Sequence, residues 1–310
     1  MTKICFIGDI HGKKKSPSNR LTDYNIDLFN QLEWVKNYCN QNQIEYIIHL
    51  GDIFDTPDAT DEWKNKFIEL WKSYNGTFYS IIGAAHDLFY NQKNSYDKTC
   101  LRNLELSGVI KVLKSNDYLS LNEAAIYSLS PYIDEAKEQL KNLNLQIDKC
   151  NIIVGHQFYN WNLDESISIV DDDFVNINAN CSLILGHDHH QYNNVLSGNI
   201  TIYRPGSFMR TELSEATINM TPRVLIYNSG VFEYVNVPCR NINEIYNVSE
   251  YMSKKNKLFK QIKNNIENIS KYLDNQNVNI SCSKYLMSSN CPSDEFEYLK
   301  SVHQVCNQEF

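Results

Sequence analysis

KICFIGDIHG, residues 3 to 12, is a short apolar run that closes on Gly8 and is followed at once by Asp9 and His11. Ile4, Cys5, Phe6 and Ile7 carry no charge and show no helical spacing, which suits a strand buried on both faces. The same pattern recurs down the chain. EYIIHLGD (45–52) puts Asp52 after Gly51, CNIIVGH (150–156) puts His156 after Gly155, and CSLILGHDHH (181–190) puts His187 and His189 after Gly186. A further strand at 77–83 leads into Ala84-Ala85-His86-Asp87. In open α/β sheets ligands gather just outside the carboxyl ends of the strands, so side chains distant in sequence can converge there.

Outward from these runs the chain alternates strands with helical spacing, which predicts an α/β architecture. Amphipathic helices are expected at 26–41, 61–74 and near 134–144. Further strands are expected near 109–113, 124–129, 200–204, 223–228 and 231–237. Beyond Pro238 the character changes. Residues 241–275 are polar with helical spacing of Ile, Tyr, Leu and Phe, and glycine is absent from 231 onward. A boundary at 238 is expected, giving a catalytic domain over 1–238 and a mainly helical cap or partner-binding region over 239–310.

A chain of 310 residues with 42% hydrophobic content can bury a full core, and this excludes disordered and collagen-like classes. The net charge of -8 gives no global attraction to nucleic acid, so a polyanion would need a local basic patch or bound cations. Nine cysteines are scattered without a Cys-x-x-Cys pair, the usage of reduced thiols in a cytosol. No secretory signal opens the chain and no segment reaches the about 18 uninterrupted apolar residues of a membrane span, so a cytoplasmic location without membrane is expected.

The residue types fit one chemistry. Phosphate esters resist hydrolysis because their negative charge repels the nucleophile, and a pair of divalent cations removes that obstacle. Aspartate oxygens and histidine nitrogens are the donors such a pair needs, and they suit Mn, Fe or Zn.

In order, the blocks Gly8-Asp9-Ile10-His11, Gly51-Asp52-Ile53-Phe54-Asp55, Ala84-Ala85-His86-Asp87, Gly155-His156 and Gly186-His187-Asp188-His189 resemble the signature of the calcineurin-like metallophosphoesterases. The resemblance covers about residues 3–210. It implies a four-layer α/β/β/α sandwich with a C-terminal helical extension. It also implies a first metal on Asp9, His11 and His189, a bridging Asp52, and a second metal on His156 and His187. His86 would contact the scissile phosphate, oriented by Asp87. Where the family has an asparagine ligand of the second metal, this chain has Ala85, which implies weaker occupancy of that position. Mn is the expected metal, with Fe, Zn and Mg as alternatives.

Within that superfamily the segments His49–Asp55, His86–Tyr90 and Arg204–Arg210 resemble the SbcD-like nuclease branch, especially its short phage-type versions. This implies a DNA exonuclease or endonuclease subunit in recombination or repair. DNA, an SbcC-like ATPase engaged through the C-terminal region, and a second copy of the chain are the implied partners. A phosphatase or phosphodiesterase on other esters, and a weakly active scaffold owing to Ala85, are the rival readings.

Other polar residues have two readings each. Lys13, Lys14 and Lys15 could receive a phosphate backbone or form a solvated charge run. Arg204 and Arg210 could clamp phosphate in bidentate fashion or form salt bridges in the core. Phe89, Tyr90 and Tyr159 could stack on bases or pack. His49 reads as a hydrogen-bonded core residue, Asp55 and Asp188 as supports for the ligands, and His190 and His303 as outward-facing.

Overall fold

The computed structural model describes residues 2–17, 19–160 and 165–275. In chain order its elements begin β1 (Lys3–Ile7), α1 (Tyr24–Gln41), β2 (Tyr46–His49), α2 (Asp61–Trp71), β3 (Thr77–Ile81), α3 (Cys100–Leu106) and β4 (Lys111–Leu113). They continue with β5 (Tyr118–Ser120), β6 (Ala124–Ser128), α4 (Ile133–Lys141), β7 (Cys150–Gly155), β8 (Phe158–Tyr159), β9 (Ser168–Ile169), β10 (Cys181–Leu185), β11 (Val195–Ser197) and β12 (Ile200–Tyr203). The remainder are α5 (Glu215–Ile218), β13 (Arg223–Asn228), β14 (Val231–Asn236), α6 (Ile242–Ile245) and α7 (Val248–Asn275).

Two six-stranded mixed sheets carry the fold, ordered β14-β13-β1-β2-β3-β4 and β11-β12-β10-β7-β6-β5. β1 to β4 run parallel to one another, as do β6, β7, β10 and β12, and antiparallel strands complete the sheets at their outer edges. Parallel neighbours bring their carboxyl ends to a common edge, where the loops of interest begin.

Strand alternation sorts the apolar residues into three cores, and three cores mean four layers. On β1, Cys5 and Ile7 join the helices, while Ile4 and Phe6 face the other sheet. On β7, Ile152 and Val154 join the core between the sheets, while Ile153 faces α4. The observed order is helices, sheet, sheet, helix, the sandwich expected from the sequence.

Helix α1 starts where the Asp23 carboxylate accepts the Ile26 N–H (3.0 Å) and buries Leu28, Leu32, Val35 and Cys39 along one face. Helix α2 is capped by Thr60 and presents Trp63, Phe67 and Trp71 at intervals of one turn to the same core. The Trp63 and Phe67 rings stack at 5.3 Å, and Trp71 lies 4.6 Å from Phe78 of β3.

The chain divides into two compact units, Met1–Val248 and Ser249–Phe310. The first extends past the expected boundary at 238 because the residues beyond Pro238 are built into it. Ile245 and Tyr246 are buried, the Leu21 N–H donates to the Ile245 carbonyl (2.7 Å), and Arg240 pairs with Asp27 of α1 (2.8 Å). The described part of the second unit is the helix continuing to Asn275. His303 lies outside the described residues. Among the described residues no helix is long and apolar enough to cross a membrane.

Candidate metal centre

Five of the parallel strands deliver polar side chains at their carboxyl ends. Asp9 and His11 follow β1, Asp52 follows β2, His86 and Asp87 follow β3, His156 follows β7, and His187 and His189 follow β10. The main chain braces this edge. Ile10 and His11 N–H donate to the Asp52 carbonyl (3.2 and 2.9 Å) within the first sheet, Gly186 N–H donates to the Gly155 carbonyl (2.9 Å) within the second, and Phe208 N–H donates to the Asp9 carbonyl (2.9 Å) between them.

Three of these residues are held in the left-handed region: His11 at φ 48°, Asp52 at 60° and His187 at 77°. Residues with a side chain rarely adopt this conformation, and such outliers cluster at functional sites. Gly83 has its own steric reason. A Cβ there would run into the Asp52 carboxylate, so only glycine lets the strand β3 exit pass so close.

Donor atoms of Asp9, His11 and His189 lie within 4.8 Å of one another, as do those of Asp52, His156 and His187, and those of His11, Asp52 and His86. Asp52 and His11 each belong to two of these sets, so the arrangement is two donor clusters joined in the middle. The Nε2 atoms of His11 and His189 face each other at 2.9 Å, and His189 Nε2 is 3.5 Å from Asp9 Oδ2. On the other side His156 Nε2 is 3.1 Å from Asp52 Oδ2.

Outer contacts fix which atoms point inward. His156 Nδ1–H donates to the Leu50 carbonyl (2.7 Å), which turns Nε2 towards Asp52. The Asp9 carboxylate accepts the His187 N–H (3.1 Å to each oxygen), coupling the two clusters. Phe158 packs on the His187 ring at 4.2 Å.

The electrostatics prepare His11 and His187 for a cation, whereas His156 would have to release a proton to bind one. Burial pushes His11 and His187 down to about 4, so both imidazoles are neutral and offer lone pairs at neutral pH. His156 is also buried, which acts to lower it, but the Asp52 and Asp9 carboxylates outweigh that and raise it to about 10. Burial acts to raise Asp9 and Asp52. The surrounding imidazoles, His156 first, instead hold Asp9 well below the usual carboxylate range and Asp52 at about 2.

The residues also pass a test of fit. His11 Nδ1 and Asp52 Oδ1 are buried without a hydrogen-bond partner among the described residues, a costly state that a bound cation would relieve. An all-oxygen-and-nitrogen donor set fits divalent first-row metals. The clusters are thus compatible with a dinuclear metal site.

The other residues singled out in the sequence fall into place around this centre. His86 is in the middle cluster, but its orienting partner is not Asp87. His86 Nδ1–H donates to the Asp55 carbonyl (2.7 Å), whereas the buried Asp87 carboxylate accepts the N–H groups of Asp52 (3.0 Å) and Gly83 (2.7 Å). Asp87 therefore holds the Asp52 backbone, and burial together with Asp52 raises its carboxyl to about 7. Sequence reading missed the Asp55 and Leu50 carbonyls because a main-chain acceptor leaves no mark in residue type.

Arg210 is committed to the main chain. Its buried guanidinium donates to the main-chain carbonyls of Met220 (3.0 and 2.6 Å) and Arg240 (2.9 Å), and these bonds rather than core salt bridges account for its burial. Arg204 is also buried, with its guanidinium 3.8 Å from the Tyr192 ring centroid and 5.5 Å from that of Tyr159. Tyr159 itself is core, bonded to Asp171 and stacked with Phe174.

Lys13 pairs with Asp55 (2.6 Å) and Lys14 with Asp58 (2.8 Å), so these lysines line the 55–58 loop beside His86. His49 is buried against the Ser80 hydroxyl (3.1 Å), and Asp188 accepts from the His190 main chain and ring (3.1 Å each). Ala85 is exposed, and Tyr90 is 90% exposed.

Residues 2–199 match the family model described as calcineurin-like phosphoesterase. Similar solved structures include one from Thermus thermophilus, 12% identical with a TM-score of 0.48, covering 76% of this chain and 99% of that one. A dimetal phosphatase from Danio rerio is 11% identical with a TM-score of 0.45, covering 76% and 99%. The Plasmodium protein GAP50, described as the anchor in the inner membrane complex, is 12% identical with a TM-score of 0.44, covering 77% and 89%. No curated protein matches the chain.

Proposed function

Because the chain belongs to the calcineurin-like phosphoesterase family, we propose that it is a metal-dependent phosphodiesterase of the SbcD-like nuclease branch, with DNA as substrate. In this reading Asp9, His11 and His189 would hold one divalent ion, His156 and His187 would hold a second, and Asp52 would be shared by both. The observation that carries the proposal is that two donor clusters, each drawing residues from both sheets, are joined through His11 and Asp52. Two bound divalent ions supply charge neutralisation at the phosphate and a more acidic water.

The chain's own residues supply the rest. His11 and His187 are neutral by burial and need lose no proton to bind a cation. Asp87 fixes the Asp52 backbone through the Asp52 N–H. His86, with Nδ1 held by the Asp55 carbonyl, keeps Nε2 available; protonated, it can give a proton to the leaving oxygen. Mn is the ion we expect to support turnover. The DNA assignment is supported by the segments His49–Asp55, His86–Tyr90 and Arg204–Arg210, and the same resemblance assigns residues 239–310 to an SbcC-like ATPase partner.

The test is Mn-stimulated hydrolysis of duplex DNA ends beside a chromogenic phosphodiester. Both should be cleaved. His86→Ala should lower kcat by about 100-fold or more while keeping its metal, as read by elemental analysis. Cleavage of the chromogenic ester without DNA would remove the nuclease assignment. Wild-type protein inert on both esters, or Asp52→Ala with unchanged metal content, would remove the metal-dependent reading itself.

A further inference from the structure

The loop between β3 and α3 holds features that the metal chemistry does not use. Its Tyr90 is 90% exposed, although an aromatic side chain ordinarily gains most by burial. Tyr90 and Asn91 both lie in the left-handed region, at φ 53° and 54°. A ring facing solvent returns no packing to offset that strain, so the fold itself gains nothing from tyrosine here.

The same loop borders an open cavity of about 430 Å³ lined by Phe89, Tyr90, Gln92, Asn94, Ser95 and Lys98, a size that takes a nucleoside. Lys98 has no carboxylate within ion-pair range among the described residues. Both ends of the loop are fastened to the segment that carries Asp55. His86 donates to the Asp55 carbonyl (2.7 Å), and the Cys100 N–H donates to the Pro57 carbonyl (2.8 Å). The Tyr132 hydroxyl holds the middle through the Asn91 carbonyl (2.9 Å). Four residues of chain span at most about 14 Å, so the Tyr90 backbone lies within that distance of His86.

We propose that Tyr90 and the adjoining cavity form a shelf for a nucleobase next to the scissile phosphate, with Lys98 receiving a neighbouring phosphate of the same strand. The aromatic face stacks on any base, so the shelf selects nucleotide esters over base-free esters without reading sequence. This inference rests on the phosphodiesterase reading for its place in the reaction, but base binding is measurable without turnover.

The experiment follows a dinucleotide containing 2-aminopurine, whose fluorescence is quenched on stacking, titrated with wild type, Tyr90→Phe and Tyr90→Ala without added metal. The ratio of kcat/KM for a dinucleotide over a dialkyl phosphodiester is then measured with Mn. Tyr90→Ala should weaken binding and lower the ratio by about tenfold, and Tyr90→Phe should keep both near wild type. Tyr118→Ala, at an exposed tyrosine of β5, should change neither. A single-stranded oligonucleotide and a free mononucleotide, run in parallel, show whether the base comes from a strand end. Tyr90→Asn, which suits left-handed backbone, should melt no lower than wild type. Equal affinity and an unchanged ratio in Tyr90→Ala would overturn the shelf. Tyr90-dependent binding with no hydrolysis would leave the shelf standing and overturn the catalytic reading instead.

Discussion

Asp52 is constrained from four directions at residue scale: its φ is 60°, its N–H is held by Asp87, its carbonyl accepts two N–H groups, and Gly83 passes against its carboxylate. Adding a methyl at Gly83 should therefore displace the carboxylate without touching any other donor. We expect Gly83→Ala to lose about 100-fold in kcat, the scale of a 1 Å misplacement, and to retain less metal on elemental analysis. Ala85 makes the opposite case. Its exposed methyl stands where the resemblance places an asparagine ligand, so Ala85→Asn should raise metal affinity roughly tenfold or more and raise turnover. Unchanged stoichiometry and rate in that variant would count against the alignment at this position. The donors were legible in sequence because each follows an apolar run and, in most blocks, a glycine. Arg210 was not, since residue type cannot show that Met220 and Arg240 carbonyls claim its guanidinium.

At the scale of elements, α1 is anchored by one carboxylate. Asp27 accepts from Arg20 (2.7 Å), Arg240 (2.8 Å) and Thr22 (2.6 Å), joining the helix to the segment that precedes it and to the segment after Pro238. Burial acts to raise the Asp27 carboxyl, but the Thr22 hydroxyl and the two guanidinium groups outweigh it and hold it below its ordinary value. A carboxyl lowered on folding gives stability that is full above its unfolded pKa and is lost as pH falls through the folded one. Asp27→Asn should thus cost about 3 kcal/mol at neutral pH, where it leaves the buried Arg20 unpaired. It should also lose less stability than wild type between pH 7 and pH 3; urea unfolding at the two pH values checks both. The long strands and helices were readable from periodicity, whereas α3, β5 and β11 escaped. They are only three to seven residues long, and β5 and β11 are half exposed, so no apolar run sets them off.

At the scale of the whole molecule, the first compact unit runs to Val248, ten residues beyond the boundary expected from composition. A chain ending at 248 should fold cooperatively and keep its metal. One ending at 238 loses the buried Ile245 and Tyr246 and the Arg240 contact to Asp27, and should be less stable by about 3 to 5 kcal/mol in denaturant unfolding. The composition had placed the boundary where glycine and strands run out, but burial of Tyr246 is a tertiary fact that no local pattern announces. The strand order also bears on synthesis. β1 is flanked by β2, made soon after it, and by β13, made only after the entire second sheet. At about 5 to 20 residues per second, a ribosome leaves one side of β1 open for on the order of tens of seconds. That open side is an unpaired, apolar strand edge, so the growing chain passes through a sticky stage that the finished protein never shows.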